Sequence, residues 1–523
     1  ASGLLVDPVG YLAIATLGEQ LGGSVVFSEL GLAAKREVIA SSFPGELSRL
    51  GELARDLLDQ SHPGHDLATH DIALALEELS VRLDVYRTYL SSETLSRNDR
   101  ARLAGTAHLT LNSLLDETRR AANLLWESMV DDRYRDSEFI LRWQQLTTAV
   151  MAKGVEDTAT YRYCGLLSHA DVGSDPGHAA RTVEDFHAFS LGRVEHPNTL
   201  NATTTHDSKR SEDSRARLCA LSEFSDEWMS LVATWHQRYL TFDIALEDEL
   251  RIYQGWLCLW DGSDSPKLTH SDRRIAEYAV KSSREAKRRT SWAHSDARYE
   301  ERLGEFVAQL GDDRRFITEM NDLLVQLGPA AVANSLSLLL LKCLSPGVPD
   351  FYQGTEYFTH TLTDPDNREP VDFERRRSQI RNSTDLFAAG SELLSFDLDT
   401  LKLSLTRALL GLRRQHRNLF ASGAYVPVEA IGPRAKHVVA FARHLEGRWV
   451  LACAPRVSAR LAPSGHYALA GVWDGTALKI PPGAPSKYVD LFSGAAIEAR
   501  DDLVSVAQCL ASLPISVLIS DPD

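Results

Sequence analysis

Leu200-Asn-Ala-Thr-Thr-Thr-His-Asp-Ser-Lys-Arg-Ser-Glu-Asp213 is the stretch from which the fold is read. A β-favouring run, Leu200 to Thr205, gives way to His206 and Asp207, with Lys209 two residues on. β-Branched residues ending in a polar cluster predict a strand whose C-terminal end carries chemistry. A carboxylate there can hydrogen-bond two sugar hydroxyls and stabilise an oxocarbenium-like transition state. The same residues also write a helix start, with Ser208 or Ser211 as cap and Glu212 and Asp213 in the first turn. The two readings are compatible, and the pattern leaves both open.

Two further strand candidates lie on either side. Gln145 to Met151 is short and apolar and ends at Lys153-Gly154; Ser345 to Tyr352 ends at Gln353-Gly354. Helical patterning fills the gaps, and the apolar run Ala330 to Leu344 predicts a buried helix. Strand–helix alternation with polar strand ends predicts a (β/α) barrel. About three units are legible, so a complete eight-stranded barrel is not encoded. From Leu30 to Trp143 leucines recur at helical spacing, predicting a helical insertion. After Arg414, His437–Arg443 and Arg448–Cys453 predict two strands joined near Glu446-Gly447, the start of an all-β sandwich. The expected class is therefore α/β: the C-terminal part of a (β/α)8 TIM barrel with a large helical insertion, plus a C-terminal β-sandwich. The expected boundaries are a barrel remnant at 1–25, the insertion at 26–143, the barrel part at 144–414 and the sandwich at 415–523.

Composition narrows the partners. The 523 residues are 44% hydrophobic and 24% charged, with a formal net charge of -16. That balance argues against nucleic acid and against an anionic membrane surface, and accommodates a neutral substrate. The six cysteines form no CxxC pair, which fits buried residues in a reducing compartment. His62, His65 and His70 lie close together, but no carboxylate or thiolate spacing supports a metal, so none is expected. No signal peptide and no apolar run of about 20 residues is legible, and a cytoplasmic location is the expectation. Ala1 stands where an initiator methionine would, and Ala1 to Asp7 reads like the middle of an element; the expectation is N-terminal truncation.

Ala202 to Arg217 closely resembles the maltooligosyl trehalose synthase motif TSTHDTKRSEDVRAR, in the α-amylase superfamily (glycoside hydrolase family 13). Met151-Ala-Lys-Gly-Val-Glu-Asp-Thr158 and Ser345-Pro-Gly-Val-Pro-Asp-Phe-Tyr-Gln-Gly-Thr-Glu356 match the same family. So do Asp364-Pro-Asp-Asn-Arg368 with Pro370-Val-Asp372, Val85-Tyr-Arg-Thr-Tyr89, Arg284-Glu-Ala-Lys287 with Thr290-Ser-Trp292, and Gly3-Leu-Leu-Val-Asp-Pro8. They occur in family order along essentially the whole chain. The resemblance implies an isomerase of malto-oligosaccharides in trehalose biosynthesis, a (1->4)-alpha-D-glucan 1-alpha-D-glucosylmutase. It converts the reducing-end α-1,4 linkage into an α,α-1,1 linkage and acts alongside a maltooligosyl trehalose hydrolase. No cofactor is implied.

By the same resemblance Asp207 matches the catalytic carboxylate that stabilises the sugar, and His206 its sugar-contacting neighbour. Lys209 and Lys153 resemble lysines of the reducing-end subsites. Asp157, Arg210, Asp350, Tyr352 and Gln353 join them as substrate-binding candidates, and Glu356 is read as structural. The superfamily writes its nucleophile as a G-x-R-x-D strand end, which no segment here matches, and its acid/base Glu before the segment that begins at Gly3. Retaining chemistry needs two carboxyl groups about 5–5.5 Å apart. Asp207 cannot be both, so this chain alone is expected to be inactive, with the missing N-terminal half as its complement.

Several positions depart from the family. Thr160 replaces an aromatic, Cys164-Gly165 replaces Asn-Arg, Glu356-Tyr-Phe-Thr-His360 replaces Glu-Leu-Trp-Asp-Leu, and Glu369 replaces a frequent Arg. These touch subsite detail and the balance of transfer against hydrolysis. An amylase-type hydrolase and a non-catalytic carbohydrate-binding subunit remain the alternative readings.

Overall fold

The computed structural model describes residues 1–90, 97–259, 268–382, 394 and 397–520. Contacts divide the chain into two units. One comprises Ala1–Val25, Cys164–Lys281 and Ala297–Asp523; the other comprises Val26–Tyr163 and Ser282–Asp296.

The second unit is helical. Its helices Phe27–Ser42, Pro44–Ser61, Thr69–Arg82, Asp116–Val130 and Glu138–Val150 enclose a core that includes Leu50, Leu58, Ile72, Leu76, Leu125 and Trp143. Two buried polar side chains are satisfied within it. Lys35 Nζ donates to the carbonyls of Val81 (3.1 Å) and Leu83 (2.7 Å), capping the end of Thr69–Arg82, while burial lowers its pKa to about 8. Trp143 Nε1 donates to Ser80 Oγ at 2.9 Å. His62 and His65 pair with Glu127 (3.2 Å) and Asp59 (3.0 Å).

Gln145–Met151 is not a strand. It belongs to the helix Glu138–Val150, which continues into a π-helical stretch, Met151–Ala159. Ser137 caps the helix, and Phe139, Ile140, Trp143, Leu146, Thr147 and Val150 bury one face. The hydroxyls of Thr147 and Thr148 bond back to the Gln144 carbonyl at 3.2 and 2.9 Å. Residues that favour strands by local preference are thus absorbed by helical burial.

In the first unit, β1 (Leu200–Asn201) and β2 (Val348–Pro349) pair in parallel, Leu200 opposite Val348 and Asn201 opposite Pro349. Both strand candidates are therefore present but short. The helices Glu212–Leu221, Ser225–Tyr239, Leu246–Leu259, Leu268–Ala286 (of which this unit holds the part up to Lys281), Ala297–Asp312 and Arg314–Leu344 follow β1 in the chain. Trp235, Tyr253 and Trp256 are fully buried against Phe316, so they serve the core. Arg314–Leu344, long and apolar enough to cross a membrane, has 67% of its apolar window buried inside the protein.

The C-terminal strands are β3 (Ala424–Pro427), β4 (Ala430–Ile431), β5 (Val438–Leu445), β6 (Arg448–Pro455), β7 (Ala477–Lys479), β8 (Lys487–Asp490), β9 (Ala496–Glu498), β10 (Leu503–Ser505) and β11 (Ser516–Ile519). They form two antiparallel sheets, β3-β5-β6-β11-β8-β9 and β10-β7-β4, which share one core around Leu451, Trp473, Leu478, Val504 and Leu518. The β5–β6 turn is Glu446-Gly447, both at positive φ (49° and 80°), the pairing a two-residue hairpin of right-handed twist demands. Arg443 of β5 donates to the carbonyls of Leu344 (3.3 Å) and Gly423 (2.9 Å), tying the sheet to the helix that precedes β2. All six cysteines are buried and unbridged.

Candidate active site

β1 and β2 run in parallel, so the segments leaving their C-terminal ends start side by side; the Asp350 amide donates to the Asn201 carbonyl at 3.2 Å. After β1 the chain makes a tight turn. Ser208 Oγ accepts the Thr205 amide at 3.0 Å and Thr205 Oγ1 accepts the Asp207 amide at 3.3 Å. His206 is exposed at this turn and Asp207 half-buried.

Two segments hold the turn. Asn367, in the Asp364–Arg368 motif, spans the carbonyls of His206 (3.2 Å) and Ser208 (3.4 Å) with its carboxamide. Arg274 in turn grips Asp366 through Nε and Nη2 at 2.6 and 2.9 Å. On another side the buried Asp171 accepts the amides of Lys209 (3.0 Å) and Arg210 (3.1 Å), with Arg215 at 3.5 Å. Arg210 is buried and donates to Ala170 O (3.1 Å) and Tyr278 Oη (2.7 Å). Lys209 is likewise buried. Both are fixed inside the protein, whereas His206 and Asp207 stand at the surface of the turn.

Below the turn lies a buried ion cluster. Ser211 caps the helix Glu212–Leu221, one of the two cap positions expected. Glu212 meets Lys342 at 3.1 Å and Lys402 at 3.2 Å, and also accepts from Thr203. Asp213 holds Lys402 with both oxygens at 2.8 Å and accepts the Thr359 amide at 2.7 Å. Burial works to raise the Glu212 carboxyl, but the two ammonium groups override it and hold it at about 2. Burial raises Asp213, and its carboxylates raise Lys402 against the effect of burial. Two carboxylates and two ammoniums leave the cluster neutral, which makes its burial tolerable.

After β2, Asp350 and Tyr352 are half-buried and Gln353 is exposed. Glu356 is ion-paired with Arg376, whose guanidinium also lies 4.0 Å over the Tyr357 ring. Lys153 and Asp157 belong to the helical unit, where the π-helical stretch brings them together as an ion pair at 2.6 Å.

Several residues that shape the site carried no signal of their own. Asp171 reaches the Lys209 and Arg210 amides from 38 and 39 positions away. Lys402 reaches Asp213 across 189 positions. Asn367 lay in a motif, but its hold on the turn at His206 was not legible. The one available cue was Lys342, a charge inside the apolar run Ala330 to Leu344.

No protein-family model matches the chain. A Mycobacterium tuberculosis protein provisionally named maltooligosyl trehalose synthase is 32% identical over 388 residues, 74% of this chain and 46% of that protein. Maltooligosyltrehalose synthase from Arthrobacter ramosus superposes with a TM-score of 0.81 at 29% identity, covering 99% of this chain and 62% of that one. A Sulfolobus tokodaii structure described as a hypothetical maltooligosyl trehalose synthase gives a TM-score of 0.73 at 26% identity, over 99% and 61% of the two chains. The chain thus spans about half the length of the curated relative and under two thirds of the solved ones. With its motifs in order and its fold shared from end to end, the chain belongs to the maltooligosyl trehalose synthase family.

Proposed function

We propose that these residues form the reducing-end side of a site that isomerises malto-oligosaccharides, turning the terminal α-1,4 bond into an α,α-1,1 bond. The observation that carries the reading is the turn at His206 and Asp207, fixed at the end of β1 beside the segment leaving β2. Paired parallel strands with polar ends fit the C-terminal part of a (β/α)8 barrel. The helical stretch 26–143 is read as an insertion, 144–414 as the barrel part and 415–523 as a β-sandwich appended to it. The cytoplasm is the proposed compartment.

In this reading a nucleophile attacks the anomeric carbon, an acid protonates the leaving glucose, and Asp207 stabilises the sugar as charge develops. Glucose stays, turns over, and returns through its anomeric hydroxyl. His206, Asp350, Tyr352 and Gln353 contact the sugar near Asp207. Lys209 and Arg210 hold the turn from inside, and Lys153 and Asp157 are assigned to reducing-end subsites by the resemblance of their motif alone. Water must be excluded, since it would divert the intermediate to hydrolysis. The product is a substrate for a hydrolase that releases trehalose. No G-x-R-x-D segment occurs in the 523 residues. The nucleophile and acid/base are therefore assigned to another stretch of polypeptide, and the chain by itself is proposed to be inactive.

The test is product analysis from maltopentaose with that stretch supplied. A non-reducing isomer supports the reading; glucose and shorter maltodextrins alone would identify a hydrolase. Sugar binding with no turnover under any complementation would identify a binding subunit.

A further inference from the structure

Away from the turn at Asp207, a cavity of about 510 Å³ opens between the helices Glu212–Leu221 and Arg314–Leu344, the start of Leu398–Gln415, and Tyr467. None of the residues assigned to the malto-oligosaccharide lines it. Its size falls within the range of about 300–1,000 Å³ usual for small-molecule sites.

Its charged groups already have hydrogen-bond partners. Asp213 holds Lys402. Arg217 donates to Leu257 O at 2.9 Å and faces His360 Nε2 at 3.0 Å. A guanidinium has no acceptor, so Nε2 must accept and the single proton of the neutral ring sits on Nδ1. Burial keeps that imidazole neutral. What remains unsatisfied is uncharged. His360 Nδ1 is buried without a hydrogen-bond partner among the described residues. Ser335, on the cavity wall, is only 4% exposed, and its hydroxyl has no partner among them; nor has that of Tyr467. The remaining wall is mainly apolar, including Leu324, Pro329, Val332 and the ring of Phe358.

We infer that this cavity is a second binding site for a neutral, polyhydroxylated ligand of mono- or disaccharide size. Apolar walls match the C–H faces of a pyranose, and the unpartnered hydroxyls of Ser335 and Tyr467 match its hydroxyl groups. Lys402 is paired with Glu212 and Asp213, and the Arg217 guanidinium is directed to the Leu257 and Cys258 carbonyls and to His360, so the preference for a neutral over an anionic sugar is part of what the test reads. The inference does not depend on the proposed isomerase activity.

The test is titration calorimetry of the full chain with maltose, repeated with glucose 6-phosphate. Val325 borders the cavity and is 68% exposed, so Val325→Trp blocks it without disturbing the core. Maltose should bind with millimolar affinity, and Val325→Trp should weaken binding about tenfold, a loss of about 1.4 kcal/mol. Tyr467→Phe should weaken it several-fold, while Asp207→Asn should leave this binding intact. Three results would overturn the inference: no maltose binding at millimolar concentrations, maltose binding untouched by Val325→Trp, or tighter binding of glucose 6-phosphate. Maltose binding lost in Asp207→Asn and kept in Val325→Trp would assign the sugar to the other site.

Discussion

Lys402 Nζ stands 2.8 Å from both carboxylate oxygens of Asp213, a residue 189 positions earlier in the chain. That contact fastens the helix Leu398–Gln415 to the first turn of Glu212–Leu221, directly after the turn that carries Asp207. Position of the loop and stability of the unit therefore share one buried cluster.

Removing one member of that cluster leaves a buried charge unpaired. Lys402→Met should cost about 3–5 kcal/mol in chemical denaturation. Adding Asp213→Asn should recover much of the loss, because the remaining Glu212 and Lys342 still pair. Two additive losses would show that the residues act independently.

The acid limb of stability follows from Glu212. Its folded pKa of about 2 lies below the ordinary 4.5, so its contribution is complete above about 4.5 and disappears as pH falls toward 2. Denaturation midpoints measured from pH 6 to 2 should fall over that window, and more shallowly in Glu212→Gln. The substitution lowers stability at neutral pH as well.

Glu223 acts in the opposite sense. Burial is the main cause that raises its carboxyl to about 8, with Asp7 adding to it, while the Ala459 amide at 2.7 Å opposes. The folded state therefore retains a proton that the unfolded chain gives up, and stability is lost as pH rises from about 4.5 through 8. Glu223→Gln should be more stable than the parent at pH 8.5, with the difference shrinking toward pH 5.

Gly154 sits where the π-helical stretch meets the helix Phe27–Ser42. A Cβ there would come within 2.9 Å of Lys35 Cα and Cγ. Gly154→Ala should therefore destabilise the helical unit by about 1–3 kcal/mol, read as a lower thermal midpoint, although alanine is ordinarily the better helix former.

Asp171 holds the Lys209 and Arg210 amides, so Asp171→Ala should loosen the turn at Asp207. In a complemented enzyme the expected result is a fall in kcat of about 10²-fold, the cost of small misplacement of reacting groups, with the fold intact by circular dichroism. Lys153→Ala and Lys209→Ala should shift products from the isomer toward free glucose. An unchanged product ratio would show that neither lysine helps to keep water from the intermediate.

Elements with a periodic burial pattern were legible in the sequence. The helical run from Leu30, the buried helix through Ala330–Leu344 and the β5–β6 hairpin around Glu446-Gly447 all have local signals strong enough to fix their type. Gln145–Met151 was misread because its β-branched threonines look like a strand in isolation. In the structure their hydroxyls are satisfied by the Gln144 carbonyl, and Thr147 shares a buried face with Phe139 and Trp143. The turn residues His206 and Asp207 were legible from their motif. Their supports were not, since Asp171, Asn367 and Lys402 act through contacts made between distant parts of the chain.

The central claim is tested by following reducing ends during incubation with maltopentaose. The chain is assayed alone and then with a polypeptide carrying the G-x-R-x-D strand and the acid/base glutamate. The chain alone should leave reducing ends unchanged, and the complemented protein should lose them without releasing glucose. Activity of the chain alone would contradict it, and would require carboxylates near Asp157, Asp207 and Asp350 to supply the nucleophile and the acid.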